Sequence, residues 1–379
     1  MCKGGRVSAL VLFLPFVNQF YMRLTLLIFS LFICISSYSQ EEITLLFAGD
    51  LMQHKAQIDA ARTSDGRYDY SDCFRYVKDE INRADVAIAN LEVTLGGKPY
   101  RGYPAFSAPD EYLSAIKEAG FDILLTANNH CLDTGKKGLE RTIMMLDSLR
   151  IPHLGTYINK EAREDNTPFL INKNGFRIAL LNYTYGTNGI EVTIPNVVNY
   201  IDKEIIKRDI VKSKTYRPDA IIVCIHWGEE YQSLPDNEQK ELAGWLLGQG
   251  VTHVIGSHPH VLQPMELRKR KDSPEKNVVV YSLGNFISNM SVRKTDGGAM
   301  FWLKLKKRNR IVRIENCGYR LVWTSRPNLS GKKKFVLYPL SLPREELTSA
   351  EAKMLSIFEK DSRELFDEYN IGIKEYIFE

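Results

Sequence analysis

The chain has 379 residues, with 50 Lys and Arg against 46 Asp and Glu. That is enough for one large domain or two small ones, and the near-balance of charge gives no support for a nucleic-acid or polyanion partner. The six cysteines form no CxxC pair, so neither a zinc ribbon nor a disulfide scaffold is indicated.

In chain order, residues 1–39 read first as a secretory signal peptide. Met22-Arg23 is a basic start, residues 24–35 are a short apolar run, and Ser36, Ser37 and Ser39 supply small residues near a cut before Gln40. Met22 is then the initiator. The run is shorter than the about 20 apolar residues a membrane span needs. The competing reading is one anchor over residues 9–35, which Asn18, Gln19 and Arg23 interrupt. Cys34 follows Leu31-Phe32-Ile33, which includes no small residue, and that argues against lipidation. The expectation is an exported protein, in the periplasm, outside the cell or on its surface. Membrane contact is expected only through the signal or such an anchor.

From residue 41 the chain alternates apolar runs with helical spacing. Runs 43–48, 86–89, 123–126, 178–182, 220–225, 253–255 and 278–282 predict buried strands. Segments 71–83, 110–118, 135–149, 202–213 and 237–247 predict helices between them, which implies βαβ units and a largely parallel α/β sheet. Residues 299–306 and 311–319 predict a hairpin through the basic turn 307–310. Residues 347–369 predict an amphipathic helix on the outside. A domain over 41–325 with a C-terminal helical extension over 326–379 follows.

Metal-ligand residue types stand where the strands end: Asp50, then Asn90 and Glu92, then Asn128, Asn129 and His130, then His226, then His258 and His260. Ligands gather at the carboxyl ends of parallel strands, where loops converge. Each residue also has a bland reading. Asp50 suits a turn or helix cap, Asn128 to His130 suit turn chemistry, and His226 suits a hydrogen-bonded core position. Asn90 and Glu92 alternate along one strand end, so one faces the site while the other braces a loop. Gly256-Ser257-His258-Pro259-His260 is the sharpest signal, because two His one residue apart project to the same side of an extended segment. His253 reads as an internal strand residue and His153 as structural. Imidazole, carboxylate and Asn oxygen suit one or two ions of Mn, Zn or Fe better than calcium. Two such ions would make a water nucleophilic near neutral pH.

The ordered motifs GDLM at 49–52, ANLE at 89–92, ANNH at 127–130, HWG at 226–228, GSHPH at 256–260 and YSLGNF at 281–286 resemble those of CapA-type poly-γ-glutamate capsule proteins, over about residues 43–290. That family is similar to calcineurin-like metallophosphatases, so the resemblance implies a four-layer α-β-β-α sandwich with a two-metal site. It further implies Asp50 and His260 on the first ion, Glu92 as the bridge, and Asn129, His226 and His258 on the second. His130 then meets the reacting oxygen as general acid or charge stabiliser. Met52 departs from the superfamily pattern, which has a histidine there; His54 either compensates or starts a helix at the surface. The implied function is metal-dependent hydrolysis of poly-γ-glutamate, another cell-envelope polymer or a small precursor. The alternative is a non-catalytic capsule assembly subunit. Tyr103, Phe106, Ser107, Ser282 and Asn285 are candidate substrate contacts or loop residues.

Overall fold

In the computed structural model, which describes Met1 and residues 41–270 and 275–378, two sheets face each other. The first runs in hydrogen-bonded order β16 (Val336–Pro339), β15 (Ile311–Ser325), β14 (Gly297–Arg308), β1 (Glu41–Leu51), β2 (Val86–Leu91), β3 (Ile123–Leu125) and β4 (His153–Leu154). Short strands β13 (Asn285–Ile287) and β17 (Lys374–Glu375) add beside β1 and β15. The second sheet runs β11 (Leu262–Lys269), β12 (Lys276–Leu283), β10 (His253–Ser257), β9 (Ala220–His226), β7 (Phe176–Thr184) and β6 (Phe169–Lys173). A two-stranded ribbon pairs β5 (Thr156–Tyr157) with β8 (Val197–Val198). The signal-peptide reading falls on residues 1–39, of which only Met1 is described. Among the described residues no helix is long and apolar enough to cross a membrane.

Alternation along each strand builds the layers. On β1, Ile43, Leu45 and Phe47 enter the core between the sheets, while Leu46 and Ala48 face outward. On β9, Ile222 and Cys224 face inward, and Ile221, Val223 and Ile225 face out. Because both faces are covered, these strands read as continuous apolar runs. The nine described helices are α1 (Lys55–Ala61), α2 (Lys78–Ile81), α3 (Asp110–Ala119), α4 (Gly135–Ser148), α5 (Lys160–Asn166), α6 (Lys203–Thr215), α7 (Asn237–Gly248), α8 (Pro327–Ser330) and α9 (Ser349–Tyr369). Ile81 of α2 and Tyr112, Leu113 and Ile116 of α3 cover the first sheet. Ile206 and Ile210 of α6 with Ala243 and Leu246 of α7 cover the second. The result is the expected α-β-β-α sandwich.

Two expectations change. Segment 71–83 is helical only over Lys78–Ile81. The Cys73 carbonyl, which an α-helix would offer to Val77, accepts from Leu337 N at 2.9 Å, and Val77 N turns to Phe74 O at 3.0 Å. The strand partner outcompetes the helix. The segment after residue 325 also does more than lie outside. It supplies β16, and Leu355, Phe358 and Phe366 of α9 join the core between the sheets. Helix α9 opens on a Thr348–Glu351 capping box and is tied to the loop before β14 by a bidentate Arg293–Asp361 pair at 2.6 Å.

The 299–319 hairpin forms, lengthened to β14 and β15. Arg308 pairs with Ile311 across a two-residue turn in which Asn309 and Arg310 both take positive φ, as a hairpin of this hand requires.

Candidate metal centre

Strands β1, β2, β3, β9 and β10 all deliver their carboxyl ends to one edge. Gly49 lets β1 reach the segment before β13: a Cβ there would lie 2.0 Å from Gly284 O. A register irregularity between Ala48 and Asp50 leaves Gly49 without a partner on β2 and sets Asp50 opposite Asn90 of β2 and Asn285 of β13. Glu92 directly follows β2, Asn129 and His130 follow β3, and His226 is the last residue of β9. Gly256 is equally obligatory, since a Cβ would meet Tyr281 O at 2.0 Å.

His258 and His260 are not on an extended segment. Strand β10 stops at Ser257, and the two histidines have φ of 104° and 57° on either side of Pro259. Two non-glycine residues in the left-handed region cost about 1–3 kcal/mol each. The turn, rather than strand alternation, brings their rings to 6.0 Å apart.

Two buried groups share one carboxylate: Glu92 with His226 and His258, and Asp50 with Glu92 and His260. Within each group the ligand-type atoms lie within 4.8 Å of one another. Glu92 Oε1 stands 3.6 Å from His226 Nε2 and 3.8 Å from His260 Nε2, and Asp50 Oδ2 is 3.4 Å from His260 Nδ1. Asn129 Oδ1 adds a further oxygen, 2.8 Å from His226 Nε2. Every ligand-type residue inferred from the sequence therefore lies at this edge.

Neighbours fix the rings and carboxylates. Asn90 Nδ2 donates to Asp50 Oδ1 at 2.8 Å and to Glu92 Oε2 at 3.2 Å, and Asn128 donates to Asn90 Oδ1. Asn90 is thus the brace and Glu92 the residue facing the site. Ser257 Oγ lies 3.0 Å from His226 Nδ1, and Asn285 Oδ1 lies 3.0 Å from His260 Nδ1. Such outer partners orient ligating imidazoles. His130 belongs to neither group; its Nδ1 is 2.8 Å from Asp133 Oδ2. The sequence reading missed Asp133, although its place three residues after His130 in a turn was a usable signal.

Other candidates separate. Met52 packs its side chain into the core outside the first sheet. His54 caps α1, accepts from Asn289 N at 3.3 Å, and lies outside both groups. Burial pushes its imidazole down to about 4. Ser107 and Ser282 donate to Gly97 O and Val261 O and are loop braces. Phe106 packs its edge against His130, and Tyr103 is exposed. His253 is the internal residue expected, accepting from Val278 N at 3.1 Å. Cys224 is buried, and burial pushes its thiol up.

The electrostatics test whether a cation fits. Asp50 Oδ2, Glu92 Oε1 and His258 Nδ1 are buried with no hydrogen-bond partner among the described residues. An unsatisfied buried polar atom costs about 1–3 kcal/mol, and more when charged. Burial, then the neighbouring Asp50 carboxylate, holds Glu92 well above the usual carboxylate range. Burial and the adjacent histidines push His226 well down and His258 to about 3, so both are neutral at pH 7 with lone pairs to offer. Unpaired carboxylate oxygens facing neutral imidazoles match a divalent cation. The donor set suits Mn, Zn or Fe. Beside it lies a cleft of about 510 Å³ lined by His258, Tyr185 and the acids Glu229, Glu230, Asp236 and Glu238.

Residues 44–290 match the family described as Bacterial capsule synthesis protein PGA_cap. The capsule biosynthesis protein CapA of Bacillus anthracis is 27% identical over 277 residues, 70% of this chain and 64% of that protein. The PGA biosynthesis protein CapA of Bacillus subtilis (strain 168) is 27% identical over 284 residues, 72% of this chain and 70% of that one. The chain thus spans less than two thirds of the first of these relatives. Among solved structures, the calcineurin-like phosphoesterase YfkN from Bacillus subtilis aligns over 86% of this chain and 98% of its own, with 14% identity and a TM-score of 0.43.

Proposed function

From the premise that this chain belongs to the bacterial capsule synthesis protein family PGA_cap, we propose that it is an exported, divalent-metal-dependent hydrolase of envelope polymer assembly. Its substrate is poly-γ-glutamate, another envelope polymer or a precursor of one. The observation that carries the reading is the pair of buried groups sharing Glu92, in which Asp50 Oδ2, Glu92 Oε1 and His258 Nδ1 have no hydrogen-bond partner among the described residues. Export rests on the basic, apolar and small-residue order of residues 22–39.

In this reading Asp50, Glu92 and His260 hold one ion, and Glu92, Asn129, His226 and His258 hold the other. Bound there, the ions supply Lewis acidity toward a phosphoryl or acyl oxygen and lower the pKa of a water. Asn90 keeps the two carboxylates apart and aimed. Asp133 holds His130 by Nδ1, which leaves Nε2 as the ring atom that passes a proton to the leaving oxygen. The test is hydrolysis of bis(p-nitrophenyl) phosphate and of poly-γ-glutamate by the manganese-loaded protein. Turnover that disappears in His258→Asn supports the reading; metal-loaded protein inert on both substrates contradicts it.

The second reading, a capsule assembly subunit with a vestigial centre, is favoured by Met52. With that side chain in the core, the first ion has only three protein ligands. Full metal occupancy without hydrolysis would select it.

A further inference from the structure

At the opposite end of the sheets, where β9, β10 and β12 begin, lies a second cleft of about 410 Å³. Strand β9 has seven residues from Ala220 at this end to His226 at the metal centre, a separation of about 20 Å. Five bases line the cleft, Arg217, Arg270, Lys276, Arg310 and Arg313, against two acids, Asp219 and Glu275. Both acids are already engaged, Asp219 by Lys307 at 3.2 Å and Glu275 by Arg270. Arg217, Lys276, Arg310 and Arg313 are exposed and have no carboxylate within 4.0 Å among the described residues. The turn that projects Arg310 is the one closing β14 on β15, so fold geometry rather than a mobile tail presents these charges.

We propose that this cleft is a binding site for an anionic, carboxylate-bearing polymer. Four cations with no carboxylate partner among the described residues, set on a concave surface, focus a positive potential and attract a chain of negative charges. Guanidinium groups match carboxylates in bidentate geometry. Among the described residues the lining holds no Phe, Tyr or Trp, whereas grooves for single-stranded nucleic acid interleave bases with aromatic platforms. Between the bases, half-buried Val312 and Ile314 and half-exposed Ile311 give the cleft an apolar strip. Methylene groups between carboxylates would cover that strip; polyphosphate has none to offer. The site does not depend on chemistry at the metal centre, and it stands apart from the acidic cleft beside His258.

The test is fluorescence-anisotropy binding of labelled poly-L-glutamate to the full chain at several salt concentrations. Competitors are unlabelled polyphosphate, an oligothymidine and anionic phosphatidylglycerol vesicles. The variant is Lys276→Glu with Arg313→Glu, both exposed strand positions. The control, Lys332→Glu with Lys333→Glu, makes the same change in net charge elsewhere. Poly-L-glutamate affinity is expected to fall at least about tenfold in the cleft variant and less than about twofold in the control. The slope of log affinity against log salt should become shallower by about 1–2. Milder replacements, Lys276→Gln with Arg313→Gln, should give an intermediate loss and guard against misfolding. Equal losses in cleft variant and control, absence of polyglutamate binding, or tighter capture of polyphosphate, oligothymidine or vesicles would overturn the proposal.

Discussion

At the scale of single residues, the proposed reading gives metal binding and proton transfer to different side chains, and variants can tell them apart. His258→Asn removes a buried ring from the second group and is expected to release metal and abolish turnover together. His130→Asn leaves both groups intact, so metal should stay while turnover falls about 10²–10⁴-fold, the usual worth of general acid–base assistance. Metal analysis alongside rate measurement distinguishes the two; loss of metal from the His130 variant would place that ring among the ligands. Acid sensitivity has a residue-level cause as well. Burial pushes His253 down to about 3 from 6.5. A depressed folded pKa contributes stability that is complete above 6.5 and lost as pH falls toward 3. Each such histidine costs about 1.4 kcal/mol per pH unit in that window. Urea midpoints at pH 7 and pH 4.5 should show a smaller acid loss in His253→Gln than in the unaltered chain. An identical loss would mean that His253 is protonated in the fold.

At the scale of elements, the strands were legible because runs such as 220–225 are apolar on both faces, and their ends carried the polar ligand types in order. The 71–83 segment was misread because nothing local reveals that Leu337, more than 250 residues away, takes the Cys73 carbonyl. The turn at His258-Pro259-His260 was likewise hidden: sequence spacing gave the right proximity for the wrong backbone reason. Asp133 escaped because a single acid after a histidine is common. The core role of α9 was obscured by its charged outer face, and it leads to an expectation. Phe358 is 2% exposed and packs between the sheets against β14. Phe358→Ala should destabilise the fold by about 3–5 kcal/mol, measured by denaturant unfolding. A change below about 1 kcal/mol would show that the terminal helix is an appendage after all.

At the scale of the whole molecule, a near-neutral chain hides segregated charge. The cleft at the metal centre is lined by four acids and no Lys or Arg, while the far cleft carries five bases. Net charge, an average over the surface, could not reveal that division. The two buried groups proposed to hold metal are themselves unequal. One has Glu92, Asn129, His226 and His258; the other has Asp50, Glu92 and His260, with Met52 withdrawn into the core. Because Glu92 serves both, one measurement bears on the central claim more directly than any other: calorimetric titration of the metal-stripped full chain with Mn²⁺, beside Glu92→Gln. Binding to the unaltered chain should be stepwise, with one site tighter than the other. Glu92→Gln should weaken both steps. Two equally tight steps, or a Glu92→Gln chain that still binds both ions as the unaltered protein does, would contradict a centre built around this carboxylate.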